Sequence, residues 1–143
     1  MLVRADSAYY SQAFVAACRR AGARFSVTVN MNPSIHQAIA GIAEQAWVPI
    51  NYPNAIFDED EQRWISDAEI AEVPYTAFVS KRKAEQVHAR LIVRRVRRLA
   101  AAPTTTGQQG ELFTTWRHHA VFTDSPMVLV QAEAQHRGHA VIE

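Results

Sequence analysis

Apolar and polar positions change rhythm several times along the chain. Leu2, Val3 and Ala5 form a short run suited to a strand buried on both faces, and it ends on a carboxylate, Asp6, with Ser7 beside it. From Ala8 to about Ala21, Tyr10, Phe14, Ala17, Cys18 and Ala21 recur at helical spacing, Arg19 and Arg20 suit the negative pole of a helix, and Gly22 suits the position just past its end. Arg24 to Met31 alternates strictly, with Phe25, Val27 and Val29 on one side and Ser26, Thr28 and Asn30 on the other, which predicts a half-buried strand. A strand, helix and strand in this order predict parallel neighbours, with Asp6 at the carboxyl end of the first strand, where open α/β sheets place ligands.

Asn32 and Pro33 read as an N-cap and a first helical residue, opening a second helix through about Gln45 with Ile35, Ile39 and Ile42 as its apolar stripe. Trp47 to Pro53 holds two prolines, so an extended edge element is expected rather than a central strand. Asp58 to Glu61 reads as the solvated tip of a hairpin leading into Arg63-Trp64-Ile65, followed by strands at Asp67–Val73 and Tyr75–Val79. Ala84 to Leu99 supports two readings: a strand centred on Leu91-Ile92-Val93, or a helix aligning Val87, Leu91 and Arg94 or Arg95. Ala102 to Gly110 is a loop, Leu112 to Thr123 a strand, and Asp124-Ser125-Pro126 a cap for a final helix carrying Val128, Leu129, Ala132 and later Ala140 and Val141.

Composition narrows the function classes. With 143 residues, 48% of them hydrophobic, the chain can bury one substantial core. A net charge of +1 gives no global signature of a nucleic-acid binder, so local patches must carry any such argument. The single Cys18 excludes an intramolecular disulfide and cysteine-rich zinc modules. There is no signal-peptide pattern and no apolar run near the roughly 18 residues a membrane helix needs, which predicts a cytoplasmic protein.

Three strings then point to a family. Arg4-Ala5-Asp6-Ser7-Ala8-Tyr9-Tyr10, Arg24-Phe25-Ser26-Val27-Thr28-Val29 and His136-Arg137-Gly138-His139-Ala140-Val141-Ile142-Glu143 resemble the DDE transposases of bacterial insertion sequences, in the group named after insertion sequence thirteen-eighty. The resemblance implies an α/β fold: part of a ribonuclease-H-like core over 1–46, a β-rich insertion over 47–125, and the start of the catalytic-Glu helix over 126–143. It favours the strand at 84–99. It implies DNA transposition by two-metal phosphoryl transfer at transposon ends, with Asp6 as the second Asp and Glu143 as the Glu, both catalytic and both ligands of Mg²⁺ or Mn²⁺. The 137 positions between them (143 − 6) leave room for the insertion. The strand bearing the family's first Asp is expected upstream and the Glu helix is expected to run on, so the chain reads as a central fragment that is inactive alone; the parent enzyme is a candidate homodimer.

The chemistry fits that implication. Phosphodiester cleavage needs an activated water or 3′ hydroxyl and a stabilised leaving oxygen, and hard cations held by carboxylates supply both. Without the flanking strings, Asp6 reads as a helix cap and Glu143 as an exposed terminal carboxylate. In the family an aromatic and an Arg precede the Glu at set spacing, and the Arg holds a phosphate; here His136 and His139 occupy those positions, so Arg137 or His139 is the candidate phosphate ligand. A zinc site from His118, His119, His136 and His139 is a separate option. Arg94, Arg95, Arg97 and Arg98, with Arg90 and Lys81-Arg82-Lys83 nearby, concentrate positive charge suited to sequence-independent DNA contacts, or simply to a solvated face. Trp64 and Trp116 read as core aromatics, with base stacking as the alternative. Asp124 reads as a turn residue, with metal ligation as its alternative. A non-catalytic DNA-binding remnant and a degraded gene product are the other function classes.

Overall fold

The computed structural model describes residues 1–58, 63–101 and 112–137. The elements run β1 (Leu2–Ala5), α1 (Gln12–Arg20), β2 (Arg24–Val29), α2 (Pro33–Ala40), β3 (Val48–Asp58), β4 (Arg63–Ala77), β5 (Val87–Ala101), β6 (Leu112–Thr123) and α3 (Leu129–Arg137), with single 3₁₀ turns at Ser7–Tyr9, Glu44–Ala46 and Lys83–Glu85. The fold is mixed α/β. One six-stranded sheet has the order β1-β2-β6-β5-β4-β3. β1 and β2 are parallel, as the strand-helix-strand order predicts, and every other pairing is antiparallel. Segment 47–125, expected as an insertion, is hydrogen-bonded into the sheet that holds β1 and β2, through Ser26 opposite Thr123 to Val29 opposite Ala120.

The alternation in β2 sorts the layers. Phe25, Val27 and Val29 face α1 and α2 and join Val15, Cys18, Ile35, Ile39, Leu91, Val93 and Phe122 in one core. Ile35, Ile39 and Ile42 are buried as the stripe predicts, and Asn32 Oδ1 accepts from Ile35 N at 2.9 Å. The helix stops at Ala40 rather than Gln45; Gly41 caps it, and a separate 3₁₀ turn carries the chain to Trp47. The polar side of β2 is covered too. Ser26 is 2% exposed because α3 lies across it, so this strand is not half-solvated as its alternation suggests.

The first helix begins later than its spacing predicts. Asp6 caps only a 3₁₀ turn, and Ser11 caps α1 by accepting from Phe14 N at 3.1 Å. Tyr10 leaves the helical path to place its ring 5.2 Å from Phe78 and 6.3 Å from Phe122. The buried residues of α1 are Val15 and Cys18, whereas Ala17 and Ala21 are exposed.

Of segment 84–99, everything from Val87 onward is strand β5, and its first residues belong to the 3₁₀ turn at Lys83–Glu85. The two strands expected at Asp67–Val73 and Tyr75–Val79 are one, β4, which runs through Pro74. Proline is tolerated there because β3 pairs with β4 only as far as Ile70, so the outer side of β4 at Pro74 has no ladder to lose. β3 is the edge strand expected of the proline-rich segment, and Pro53 falls in its break of register between Asn51 and Ile56. The hairpin tip at Glu59–Glu61, the whole 102–110 loop, and Ala140 and Val141 of the expected final helix lie outside the described residues. Among those described, no helix is long and apolar enough to cross a membrane.

Candidate functional site

The parallel pair β1 and β2 ends in an open cleft of about 460 Å³, lined by Arg4, Ala5, Asp6, Thr28 and His136. Two elements far apart in sequence meet there. Asp6 follows directly on β1, is exposed, and its Oδ1 accepts from Ala8 N at 3.0 Å, which fixes the carboxylate at the strand end. Opposite it stands the end of α3. Arg4 donates from one guanidinium nitrogen to the backbone carbonyls of Gln135 and His136, both at 3.2 Å. The His136 ring is hydrogen-bonded on both nitrogens, Nδ1 to Ser26 Oγ at 2.6 Å and Nε2 to Thr28 Oγ1 at 3.0 Å. The cap reading of Asp6 is therefore correct as local structure, and the carboxylate still opens into the cleft.

The other candidates scatter. Glu143 and His139 lie outside the described residues, as does the side chain of Arg98. Arg137 is folded onto Glu133 one turn earlier, donating from Nε and Nη2 at 3.0 to 3.2 Å to the carboxylate of a residue that is 6% exposed. Strand alternation splits the β5 arginines between the two faces of the sheet. Arg94 lines a cavity of about 180 Å³ beneath α3, together with His119, Glu133, His136 and Arg137. Arg97 is exposed on the other face, 5.3 Å from the Trp116 ring.

Arg95 departs from the expected surface role. Its guanidinium lies 4.2 Å from the Trp47 centroid and 4.0 Å from that of Trp116, and it pairs with Glu69 and Glu44. The residue is 6% exposed, so it serves the fold and offers no surface to a phosphate. Its hydrogen bonds in turn hold the exposed Glu44 carboxyl below the usual range.

Adjacent His118 and His119 project to opposite faces: His118 packs 6.1 Å from Trp47, and His119 lies under α3. That separation disfavours the four-histidine zinc arrangement, and among the described residues no group of three His, Cys, Asp or Glu side chains could hold a metal ion. Asp124 is a backbone ligand, its Oδ1 accepting from Phe25 N at 2.9 Å near the start of β2, away from Asp6. Trp116 is half-buried against the arginines, whereas Trp64, expected in the core, is 67% exposed beside Phe57.

Burial first, then the positive charges of Arg95 and His36, hold the His118 imidazole below its ordinary value. The unfolded chain binds that proton near pH 6.5 and the folded chain only at lower pH, so this residue's contribution to stability is complete above about 6.5 and is lost on acidification below it. Thermal melts at about pH 7.5 and 5.5 are expected to show a fall that His118→Gln makes shallower; equal slopes in the two proteins would show that His118 is not responsible.

Sequence reading missed Arg4, Ser26 and Thr28. Arg4 stands two residues before Asp6, but its target is main-chain carbonyl 131 residues away or more, which no spacing reveals. Ser26 and Thr28 showed the correct alternation and were assigned to solvent because nothing local announces a helix crossing above them. No protein-family model matches the chain, and no curated protein matches it.

Proposed function

We propose that this chain carries the second Asp and the Glu of a DDE-type transposase, in a ribonuclease-H-like core that acts on transposon-end DNA by two-metal phosphoryl transfer. One observation carries the reading: Asp6 and the end of α3 line the same cleft. The described part of α3 ends at Arg137, one residue past His136 of the cleft lining, and Glu143 stands six positions further on in the sequence.

The donor set suits Mg²⁺ or Mn²⁺. These ions take oxygen ligands, need one or two carboxylates and keep several waters, and an exposed carboxylate in an open cleft allows all three. When bound, a metal pair activates the attacking water or 3′ hydroxyl and stabilises the leaving oxygen. The protein supplies position: the backbone N–H of Ala8 holds the Asp6 carboxylate at a strand end, and β1 is fixed by its ladder to β2. Exposed Arg97 is a candidate contact for DNA phosphate; its effect would be sequence-independent and salt-sensitive.

Mn²⁺ titration followed by electron paramagnetic resonance tests the site. Asp6→Asn keeps an oxygen able to cap the turn while removing the charge, so it separates metal binding from folding. Asp6→Asn and Glu143→Gln are each expected to weaken Mn²⁺ binding on the order of tenfold or more; wild-type affinity in both variants would sink the reading. In a plasmid assay with Mg²⁺, any nicking by this chain is expected to be lost in Asp6→Asn.

A further inference from the structure

We infer that the cavity beneath α3 is a binding subsite for the oxyanion of a small molecule, a carboxylate or phosphate group held by Arg94, His119 and Arg137. The inference is independent of the proposed metal site, since it uses neither Asp6 nor Glu143.

The sheet makes the floor. On β5 and β6, Arg94 stands directly opposite His119, and Ile92 directly opposite Val121. Residues paired in this way project to one face. A guanidinium and an imidazole therefore lie beside two apolar side chains, and all four line the cavity of about 180 Å³. The helix makes the roof. Arg137 donates from Nε and Nη2 to the Glu133 carboxylate at 3.0 to 3.2 Å, which fixes its guanidinium over the same space. His136 closes one side. Its two ring nitrogens are engaged by Ser26 and Thr28, so it serves as wall and the donors come from β5, β6 and α3.

Charge decides what this space suits. Two guanidiniums and one carboxylate line it, leaving one positive charge in surplus, and the carboxylate already accepts from Arg137 through both oxygens. A cation would meet that surplus as repulsion, whereas an oxyanion offsets it. The apolar surroundings of Ile92 and Val121 strengthen charge-assisted hydrogen bonds made there. The planar fork of an arginine matches the oxygens of carboxylate and phosphate, and an imidazole supplies an N–H in either charge state. Size agrees as well: with a water occupying roughly 30 Å³ in the liquid, a cavity of this volume holds an oxyanion and several waters. Thr28 and His136 also line the 460 Å³ cleft, so the two spaces adjoin and the rest of the molecule has room to extend into the cleft.

Calorimetric titration of the whole chain with inorganic phosphate and, separately, with acetate tests the subsite, and the tighter of the two identifies the group. Saturable one-site binding is expected, with a higher melting temperature at saturating anion. Arg94→Gln is expected to weaken that binding on the order of tenfold or more. Lys83→Gln, which removes an exposed cation outside the cavity lining, is expected to leave it unchanged. Val121→Phe keeps every charge and fills the space, so it is expected to block binding, and it carries the test if Arg94→Gln perturbs the fold. Amide chemical shifts on adding the tighter anion are expected to move in β5, β6 and α3.

Absence of saturable binding of both anions would overturn the inference. Equal weakening by Arg94→Gln and Lys83→Gln would do so too, because it would reduce the effect to surface charge. Wild-type affinity in Val121→Phe would place the anion elsewhere and refute the subsite.

Discussion

Phe122→Ala is expected to destabilise the protein by about 4 kcal/mol, within the range for truncating a fully buried aromatic. Phe122 has no exposed surface, and its ring lies 5.5 Å from Phe25, 5.9 Å from Tyr75, 6.3 Å from Tyr10 and 6.5 Å from Phe78. Those rings come from β2, β4, the approach to α1 and the β4–β5 turn. Phe122 itself is on β6, the strand that joins β2 to the meander of β3 to β6, and it pairs with Val27 on one side and Leu91 on the other. Urea denaturation should show the loss as a lower midpoint at unchanged slope, and the melting temperature should fall on the order of 10 °C. Phe122→Leu should recover more than half of it. A loss below about 1 kcal/mol in the alanine variant would show that the aromatic cluster does not join the two parts of the sheet.

The second large effect is expected at Arg95. Arg95→Met keeps most of the volume between Trp47 and Trp116 and removes the charge, leaving Glu69 without its partner where it is only partly exposed. Removing one member of a buried pair is more damaging than replacing both, because the remaining charge stays desolvated. The expected destabilisation is about 3 kcal/mol, discounted from the fully buried case because the Glu69 side chain is 28% exposed. The double variant Arg95→Met with Glu69→Leu should be more stable than Arg95→Met alone. Glu44→Gln should be nearly silent, since the Glu44 side chain is 80% exposed. Equal stability of the single and double variants would place the loss in the indole stacking instead. Either way the variant reports on folding, and a DNA-binding defect measured in it must be compared with one in exposed Arg97.

The strands were legible where alternation was strict and long. β2 and β6 have the bounds their patterns predict to within a few residues, and the capped start of α2 was readable from Asn32 and Pro33. Segment 84–99 was ambiguous because arginines occupy both faces: Arg95 counts as polar in any pattern, yet it is as buried as a core residue through two rings and two carboxylates brought from elsewhere. The late start of α1 was hidden for a related reason. Tyr10 sits at helical spacing with Phe14, and only the position of Phe122 and Phe78 draws it off the helix. For the cleft, the sequence identified Asp6 through its neighbours, but not the polar partners that bring α3 beside it. Bonds such as those of Arg4 and His136 depend on how the layers stack, and residue spacing does not encode that.

The pairing of β2 with β6 has a kinetic consequence. β3 to β6 form a meander of sequential hairpins, each joined over a short or moderate stretch of chain, whereas Ser26 opposite Thr123 joins positions 97 apart (123 − 26). Closing so large a ring of chain loses entropy before any contact compensates it, so the meander can zip up first while the amino-terminal unit waits. The hydroxyls that hold His136 belong to β2, and the helix bearing His136 follows β6, so the cleft comes into being only with that final joining. An intermediate halted one step short would have most of its sheet and no cleft.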